Sequence, residues 1–344
     1  MNSVAGWAAE DRAALFGETA NRRGVSPMVI EKDFWVCWTL EKLFRSDISH
    51  HLIFKGGTSL SKVYGLIERF SEDIDLSLSR SYLGFTGEHD PEEAPSKNKR
   101  RKLVHALQEA CRERIGGILL PGLRTMFASE LSGASPAAAW SLSIDDQDPQ
   151  TLVFRYPAAP RDASGHALPY LSPTVRLELG ARSDDWPASW AQVASYAADA
   201  FPHLFSAPGC SVKVLAPERT FWEKATLLHA EHHRPAGSRA GDRLSRHYYD
   251  LFMLAHSPFG EAAMNDLDLL MRVALHKSIF FECAWARYEE ARPGSIHLLP
   301  SGEQVGHLRR DYQGMAEMFF GESPPFDEIL AGLEQVEKRI NSSG

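Results

Sequence analysis

Two short stretches of this sequence carry residue types that do chemistry in combination. The first, Leu52-Ile53-Phe54-Lys55-Gly56-Gly57-Thr58-Ser59-Leu60, is an apolar run that enters a double glycine followed by two hydroxyls. The second, Ser71-Glu72-Asp73-Ile74-Asp75-Leu76-Ser77-Leu78, is a β-like run with two carboxylates separated by one apolar residue. Side chains alternate faces along a strand, so Asp73 and Asp75 point the same way while Ile74 and Leu76 face the other side. Two ionised carboxylates this close repel unless a cation lies between them, and oxygen-only ligands favour Mg²⁺ or Mn²⁺. Such a cation holds the phosphates of a nucleoside triphosphate (NTP) and neutralises charge as the bond to the α-phosphate breaks. Gly56 and Gly57 lack a Cβ, so their amides can approach phosphate oxygens at a helix start, where Thr58 and Ser59 add hydroxyl donors. A lone Asp-X-Asp is usually a solvated strand end, and a lone Gly-Gly-Thr says less. Their order and spacing together point to a triphosphate.

Positioning these groups takes a strand, a turn, a helix-length gap and a returning strand. Upstream, residues 8–23 alternate at helical spacing and Gly24 stops them; Ser26 and Pro27 then open a helix to residue 44. Ile30, Phe34, Cys37, Trp38 and Leu40 give that helix an apolar stripe, and Lys32 beside it reads on the residues alone as a solvated lysine. Residues 60–68 predict a short helix, after which Arg69 is placed to pair with Asp73, Asp75 or a phosphate, and Ser71 reads as a turn hydroxyl. The basic run Lys97-Asn98-Lys99-Arg100-Arg101-Lys102 leads into a helix over 103–115, where the helix dipole disfavours cations. It is a solvated face or a contact for an RNA backbone. Alternating patterns over 138–180 predict a hairpin turning at 145–149 and a strand on which Arg176 and Glu178 share a face. A connection over 184–208 precedes a strand at 211–215 and a helix over 219–232 carrying Lys224 among Phe221, Trp222 and Leu227. His229, His232 and His233 have the spacing of a metal pair but no fourth-ligand pattern, so zinc is not expected. Asp250 reads as an acid in the first turn of another helix, and further helices are expected at 260–281, 307–320 and 324–340.

At 344 residues, 44% hydrophobic and 24% charged, the chain reads as an ordinary globular protein with two domains, 1–215 and 216–344. No apolar run has membrane-span length and the N-terminus lacks the pattern of a secretory signal. Cys37, Cys111, Cys210 and Cys283 stand singly, as expected of free thiols in a reducing cytoplasm. A net charge of −8 argues against bulk attachment to nucleic acid while leaving a local basic groove open.

Residues 52–78 resemble the nucleotidyltransferase superfamily of DNA polymerase β and, within it, the AbiEii toxin group of bacterial abortive-infection and toxin–antitoxin systems, to which MenT-type toxins belong. The resemblance is carried by Lys55-Gly56-Gly57-Thr58-Ser59-Leu60 with Arg69-Phe70-Ser71-Glu72-Asp73-Ile74-Asp75-Leu76. It extends to Glu31-Lys32-Asp33-Phe34-Trp35, Pro217-Glu218-Arg219-Thr220-Phe221-Trp222-Glu223-Lys224 and Arg246-His247-Tyr248-Tyr249-Asp250-Leu251, covering about residues 25–257. The long gap between the glycines and Asp73 departs from the general superfamily pattern and follows the AbiEii variant. The resemblance implies an α+β fold: a nucleotidyltransferase-type mixed β-sheet flanked by helices, with a C-terminal helical region that contributes Lys224 and Asp250 to the active site. It implies that Asp73 and Asp75 bind Mg²⁺, with Glu178 as third ligand or as base; on the residues alone Glu178 reads equally as a surface glutamate paired with Arg176. Lys32, Lys55, Gly56, Gly57, Thr58, Ser59, Arg69 and Ser71 become nucleotide contacts, Lys224 stabilises the triphosphate, and Asp250 orients its neighbours. The implied acceptor is RNA, in particular the tRNA 3′ end, whose modification blocks translation in toxin–antitoxin or phage defence, with an antitoxin as partner. Transfer onto a protein or small-molecule hydroxyl is a second reading. A non-catalytic nucleotide-binding module is a third, against which the joint presence of Asp73, Asp75, Glu178 and Lys224 counts.

Overall fold

A computed structural model describes residues 1–71, 73–132, 140–159, 172–238, 241 and 243–343, and the chain divides into two compact units. Glu72 of the acidic motif, and parts of the expected β region and of the loop at 234–243, lie outside the described residues.

The first unit comprises 1–63, 72–86 and 105–214. It holds α1 (Asn2–Ala5), α2 (Ala9–Arg23), α3 (Pro27–Phe44), β1 (Leu52–Lys55), α4 (Gly56–Lys62), β2 (Asp73–Leu78), the second half of α5 (Lys97–Arg114) and α6 (Leu120–Leu131). β3 (Ser141–Ile144), β4 (Thr151–Arg155), β5 (Thr174–Gly180), β6 (Ala188–Ala194), α7 (Tyr196–Ala200) and β7 (Gly209–Leu215) complete it. The strands form a seven-stranded mixed sheet in the order β3-β4-β5-β2-β1-β7-β6. β2 runs antiparallel to β1 and parallel to β5.

Alternation decides which side of this sheet is core. Ile74, Leu76 and Leu78 of β2, Val175, Leu177 and Leu179 of β5, and Leu152 and Phe154 of β4 are all buried. The polar residues between them take the other face. Helix α3 packs on β2 and β5, and its aromatic residues interlock with those of the sheet: Trp38 stacks on Phe154 at 5.7 Å, and Trp35 on Tyr156 at 5.5 Å. Each such side chain contributes about 1.5–3 kcal/mol by leaving water. Ser26 caps α3 by accepting from the Met28 amide, and Gly24 ends α2 in the left-handed region (φ 67°).

The charged residues in the first half of α3, Glu31, Lys32 and Asp33, are buried and each is partnered. Asp33 pairs with Lys62 at 2.6 Å and accepts from the Tyr196 amide, while Glu31 accepts from the Ala159 amide. Lys32 is 2% exposed and its Nζ donates to the Ser172 carbonyl at 3.4 Å, which overturns the reading of a solvated lysine.

The second unit comprises 64–71, 87–104 and 215–344. Its helices are α8 (Pro217–His232), α9 (Ser245–Ala255), α10 (Pro258–Asn265), α11 (Leu267–Phe280), α12 (Gly302–Gln313) and α13 (Phe326–Ser342). Helix α8 packs against α9, α10 and α11, and α9 against α12 and α13. Among the described residues no helix is long and apolar enough to cross a membrane.

Several expected elements take different bounds. The helix expected at 60–68 begins at Gly56 and ends at Lys62, because the glycine turn itself enters the helix and Gly65 adopts φ 61° beyond it. The basic run lies inside α5 rather than ahead of it. The connection at 184–208 contains β6 and α7; β6 alternates weakly and buries only Val193. The helix expected at 260–281 breaks at Asp266, whose side chain caps the Leu269 amide, and α12 lies earlier than the stretch expected at 307–320.

Candidate active site

The first unit brings the two sequence stretches together. In the β2 ladders Lys55 lies opposite Asp75, Asp75 opposite Glu178, and Asp73 opposite Arg176. Residues directly opposite in neighbouring strands project to one face. Lys55, Asp73, Asp75, Arg176 and Glu178 therefore share the face left open, with Glu178 exposed and the other four partly exposed.

The glycine turn closes on this row. Gly56 has φ 77°, a conformation natural only to glycine, and a Cβ placed on it would overlap the Asp75 carboxylate. Both requirements select glycine at this point. Gly57 follows in the first turn of α4. The Thr58 hydroxyl donates to the Asp73 carbonyl at 2.5 Å, and the Ser59 hydroxyl to the Gly56 carbonyl at 2.8 Å. Both side chains are buried. These hydroxyls, expected as phosphate donors, bond the backbone here, and that of Thr58 ties the turn to β2. Ser71 is partly exposed just ahead of that strand.

Arg176 supplies a positive charge beside the acids. It pairs with Asp145 at 2.7 Å, and although burial opposes it, Asp145, with Asp73 and Glu178 behind it, raises its pKa above the usual arginine value. The anionic side chains on this face, Asp73, Asp75 and Glu178, offer only oxygen, as a hard divalent cation requires. Among the described residues no three His, Cys, Asp or Glu side chains converge as a ready-made metal cage.

The second unit assembles a buried charge cluster. Asp250 lies in the middle of α9 and is fully buried, so it is not the first-turn acid expected from sequence. Arg69 donates to it twice, Nε to Oδ1 at 2.7 Å and Nη2 to Oδ2 at 2.8 Å, and Lys224 Nζ donates to Oδ2 at 2.7 Å. The sequence left Arg69 to Asp73, Asp75 or a phosphate; its bidentate partner is Asp250, 181 residues away, which no local pattern could indicate. The Arg69 segment is held by Phe70 N–H donating to the Met318 carbonyl, Phe320 N–H to the Glu68 carbonyl, and Glu68 N–H to the Tyr249 hydroxyl.

Burial pushes the Asp250 carboxyl upward, but Arg69 and Lys224 outweigh it and hold the group well below the usual carboxylate range. Burial lowers the Lys224 pKa, Asp250 opposes, and Arg69 and Arg246 add to the lowering. His247 joins the cluster, its Nδ1 3.4 Å from Lys224 Nζ. Burial, then Lys224 and Arg246, push its imidazole well below the usual range against the pull of Asp250.

The histidines of α8 serve a different purpose. His229 is fully buried, donates through Nε2 to the Arg287 carbonyl at 3.0 Å and accepts at Nδ1 from the His297 amide at 3.1 Å. His232 donates to the Leu299 carbonyl and stacks on the His297 ring at 4.2 Å. They fasten the 287–299 segment to α8.

A glycine turn set against paired strand carboxylates belongs to the nucleotidyltransferase class of sites, and comparison with known families places the chain in that class. Residues 38–332 match the model of the nucleotidyl transferase AbiEii toxin, type IV toxin–antitoxin system. The chain belongs to this AbiEii family of nucleotidyltransferase toxins. Among solved structures it is similar to MenT4, a nucleotidyltransferase toxin from Mycobacterium tuberculosis H37Rv, at 16% identity and a TM-score of 0.43 over 96% of this chain and 97% of that one. A likeness that weak carries no argument about the chemistry. No curated protein sequence matches the chain.

Proposed function

We propose that this chain moves a nucleoside monophosphate from an NTP to the 3′ end of an RNA, tRNA in particular, and so blocks translation. The setting is a bacterial cytoplasm, as a toxin–antitoxin or phage-defence component restrained by a cognate antitoxin. The observation that carries the reading is the row of Lys55, Asp73, Asp75 and Glu178 on one open sheet face, with Gly56 closed against Asp75.

Asp73 and Asp75 are the ligands for Mg²⁺ or Mn²⁺, with Glu178 either a third ligand or the base that takes the proton of the acceptor hydroxyl. Mg²⁺ is commonly held by one or two carboxylates together with substrate phosphates, so a row of acids short of a full cage suits it. When bound, the cation supplies charge neutralisation at the α-phosphate. The acceptor oxygen bonds to the α-phosphorus, the bond from that phosphorus to the bridging oxygen breaks, and pyrophosphate leaves. Lys55 and the Gly56-Gly57 backbone border the β- and γ-phosphates. Lys224 and Arg69, held by Asp250, oppose the charge that develops on the leaving group.

The test is incubation of purified protein with total tRNA, Mg²⁺ and each α-³²P NTP in turn. Label is expected in RNA at its 3′ end. Label found only on protein or in a small product would transfer the activity to another acceptor, and absence of label from every fraction would refute the transferase reading.

A further inference from the structure

Helix α4 has seven residues, too few to be stable by itself, yet the glycine that closes on Asp75 is its first residue. Its interior is cross-tied. The Ser59 hydroxyl donates to the Gly56 carbonyl at 2.8 Å, the Ser61 hydroxyl to the Thr58 carbonyl at 3.2 Å, and the Val63 amide to the Ser59 carbonyl at 3.0 Å. A body tied in this way moves as a unit. Thr58 fixes its first turn to β2, and its last residue, Lys62, lies about 9 Å from Gly56 along the helix axis.

Lys62 is held in the interior of the first unit. Its side chain is 6% exposed and its Nζ lies 2.6 Å from Asp33 Oδ1, while Asp33 Oδ2 accepts from the Tyr196 amide at 2.7 Å. Lys62 Nζ also stands 3.6 Å from the centroid of the Tyr196 ring, against which Arg23 of α2 packs at 4.1 Å. Asp33 thus joins α3, the end of α4 and the start of α7.

We propose that Lys62, held by Asp33, is a positioning residue for the triphosphate: it anchors the far end of α4 and so sets where the Gly56-Gly57 backbone stands against Asp75. This rests on the nucleotide reading above and adds to it a residue that acts through the helix. Without the pair, α4 keeps its tie through Thr58 and pivots about it, and the turn shifts against the acids. Removing Lys62 alone leaves a buried carboxylate without its cation, which costs stability as well as geometry. Replacing both partners by neutral groups separates the two effects, because desolvation offsets much of a buried pair's attraction, and Asp33→Asn keeps an oxygen for the Tyr196 amide.

The experiment compares the parent with Lys62→Met, with the double variant Asp33→Asn/Lys62→Met, and with Leu123→Ala. Leu123 is buried on α6, which packs on β3 and α3, and its truncation supplies a loss of stability unconnected with α4. Thermal melting first shows each protein folded. The first readout is amide hydrogen exchange over 56–62, at the same interval below each melting temperature. Both Lys62 variants should exchange there about tenfold faster than the parent, and Leu123→Ala should not. The second readout is kinetic, with Mg²⁺, NTP and tRNA. In both Lys62 variants KM for NTP should rise by about tenfold while KM for tRNA stays, whereas Leu123→Ala should keep both KM values. Unchanged exchange over 56–62 in both variants would overturn the proposal, since the pair would then be core packing alone. A fall in kcat with both KM values unmoved, as lost folded protein would give, would overturn it too. The exchange needs no turnover, so a parent that transferred no nucleotide would sink the transferase reading and leave the anchoring of the turn to be decided by the exchange.

Discussion

At the scale of single residues, the groups that matter are defined by what lies opposite them. Asp75 is distinguished from any other strand acid because Lys55 and Glu178 flank it in the ladders and Gly56 packs against its carboxylate. Gly56→Ala tests this directly. A non-glycine residue in the left-handed region costs about 1–2 kcal/mol, and here the added methyl must also displace Asp75. Denaturant unfolding should show a loss of at least that size, and nucleotide transfer should fall further than stability alone explains. Unchanged stability together with unchanged transfer would mean that the turn and the acid are not coupled. The carboxylate pair, its spacing and the double glycine were all legible in the sequence, since alternation along a strand is a local rule. The Arg69–Asp250 pair was not, because its partners are 181 residues apart and neither lies in a pattern that points to the other.

At the scale of elements, helix starts and stops were legible wherever side-chain chemistry marks them, as with Ser26 at the start of α3 and Gly24 at the end of α2. They were illegible where a marker was ambiguous. The double glycine was expected ahead of a helix over 60–68, and only its positive φ leading straight into α4 shows that the helix begins at Gly56; Asp266 reads as an ordinary acid until it is seen capping α11. Helix α8 also carries a titratable fastening. Burial first, with His233 and His297 nearby, lowers the His229 pKa to about 4 from the ordinary histidine value. A histidine that is neutral in the folded state and protonates more readily when unfolded contributes stability fully above its unfolded pKa, near 6.5, and loses it as pH falls toward 4. That amounts to about 3 kcal/mol over the window. Glu290 and Glu337 face the same cluster, so the readout is a difference: the denaturant midpoint of the parent should drop between pH 7 and 4.5 by more than that of His229→Asn. Parallel curves for the two proteins would contradict the assignment.

At the scale of the whole molecule, an acidic chain of net charge −8 carries a locally basic helix. Helix α5 opens with Lys97, Lys99, Arg100, Arg101 and Lys102 and has no acid in its first turn. Arg101 is tied to Glu282 through two hydrogen bonds. Net charge thus describes the average surface and not any one face of it. The separation into two units, one built on the mixed sheet and one on helices, follows from the change in sequence period from two to 3.6 after β7. The short segments 64–71 and 87–104 belong with the helices although they lie between strands in sequence, because hydrogen bonds such as Phe70 to Met318 and ion pairs such as Arg101 to Glu282 join them there. The central claim is that Asp73 and Asp75 bind nucleotide through a divalent cation. Calorimetric titration of the intact protein with a non-hydrolysable NTP, with and without Mg²⁺, tests it most directly. Binding that needs Mg²⁺ and weakens by about tenfold or more in Asp73→Asn and in Asp75→Asn is the predicted result; equal affinity with and without the cation, unchanged in both variants, would contradict it.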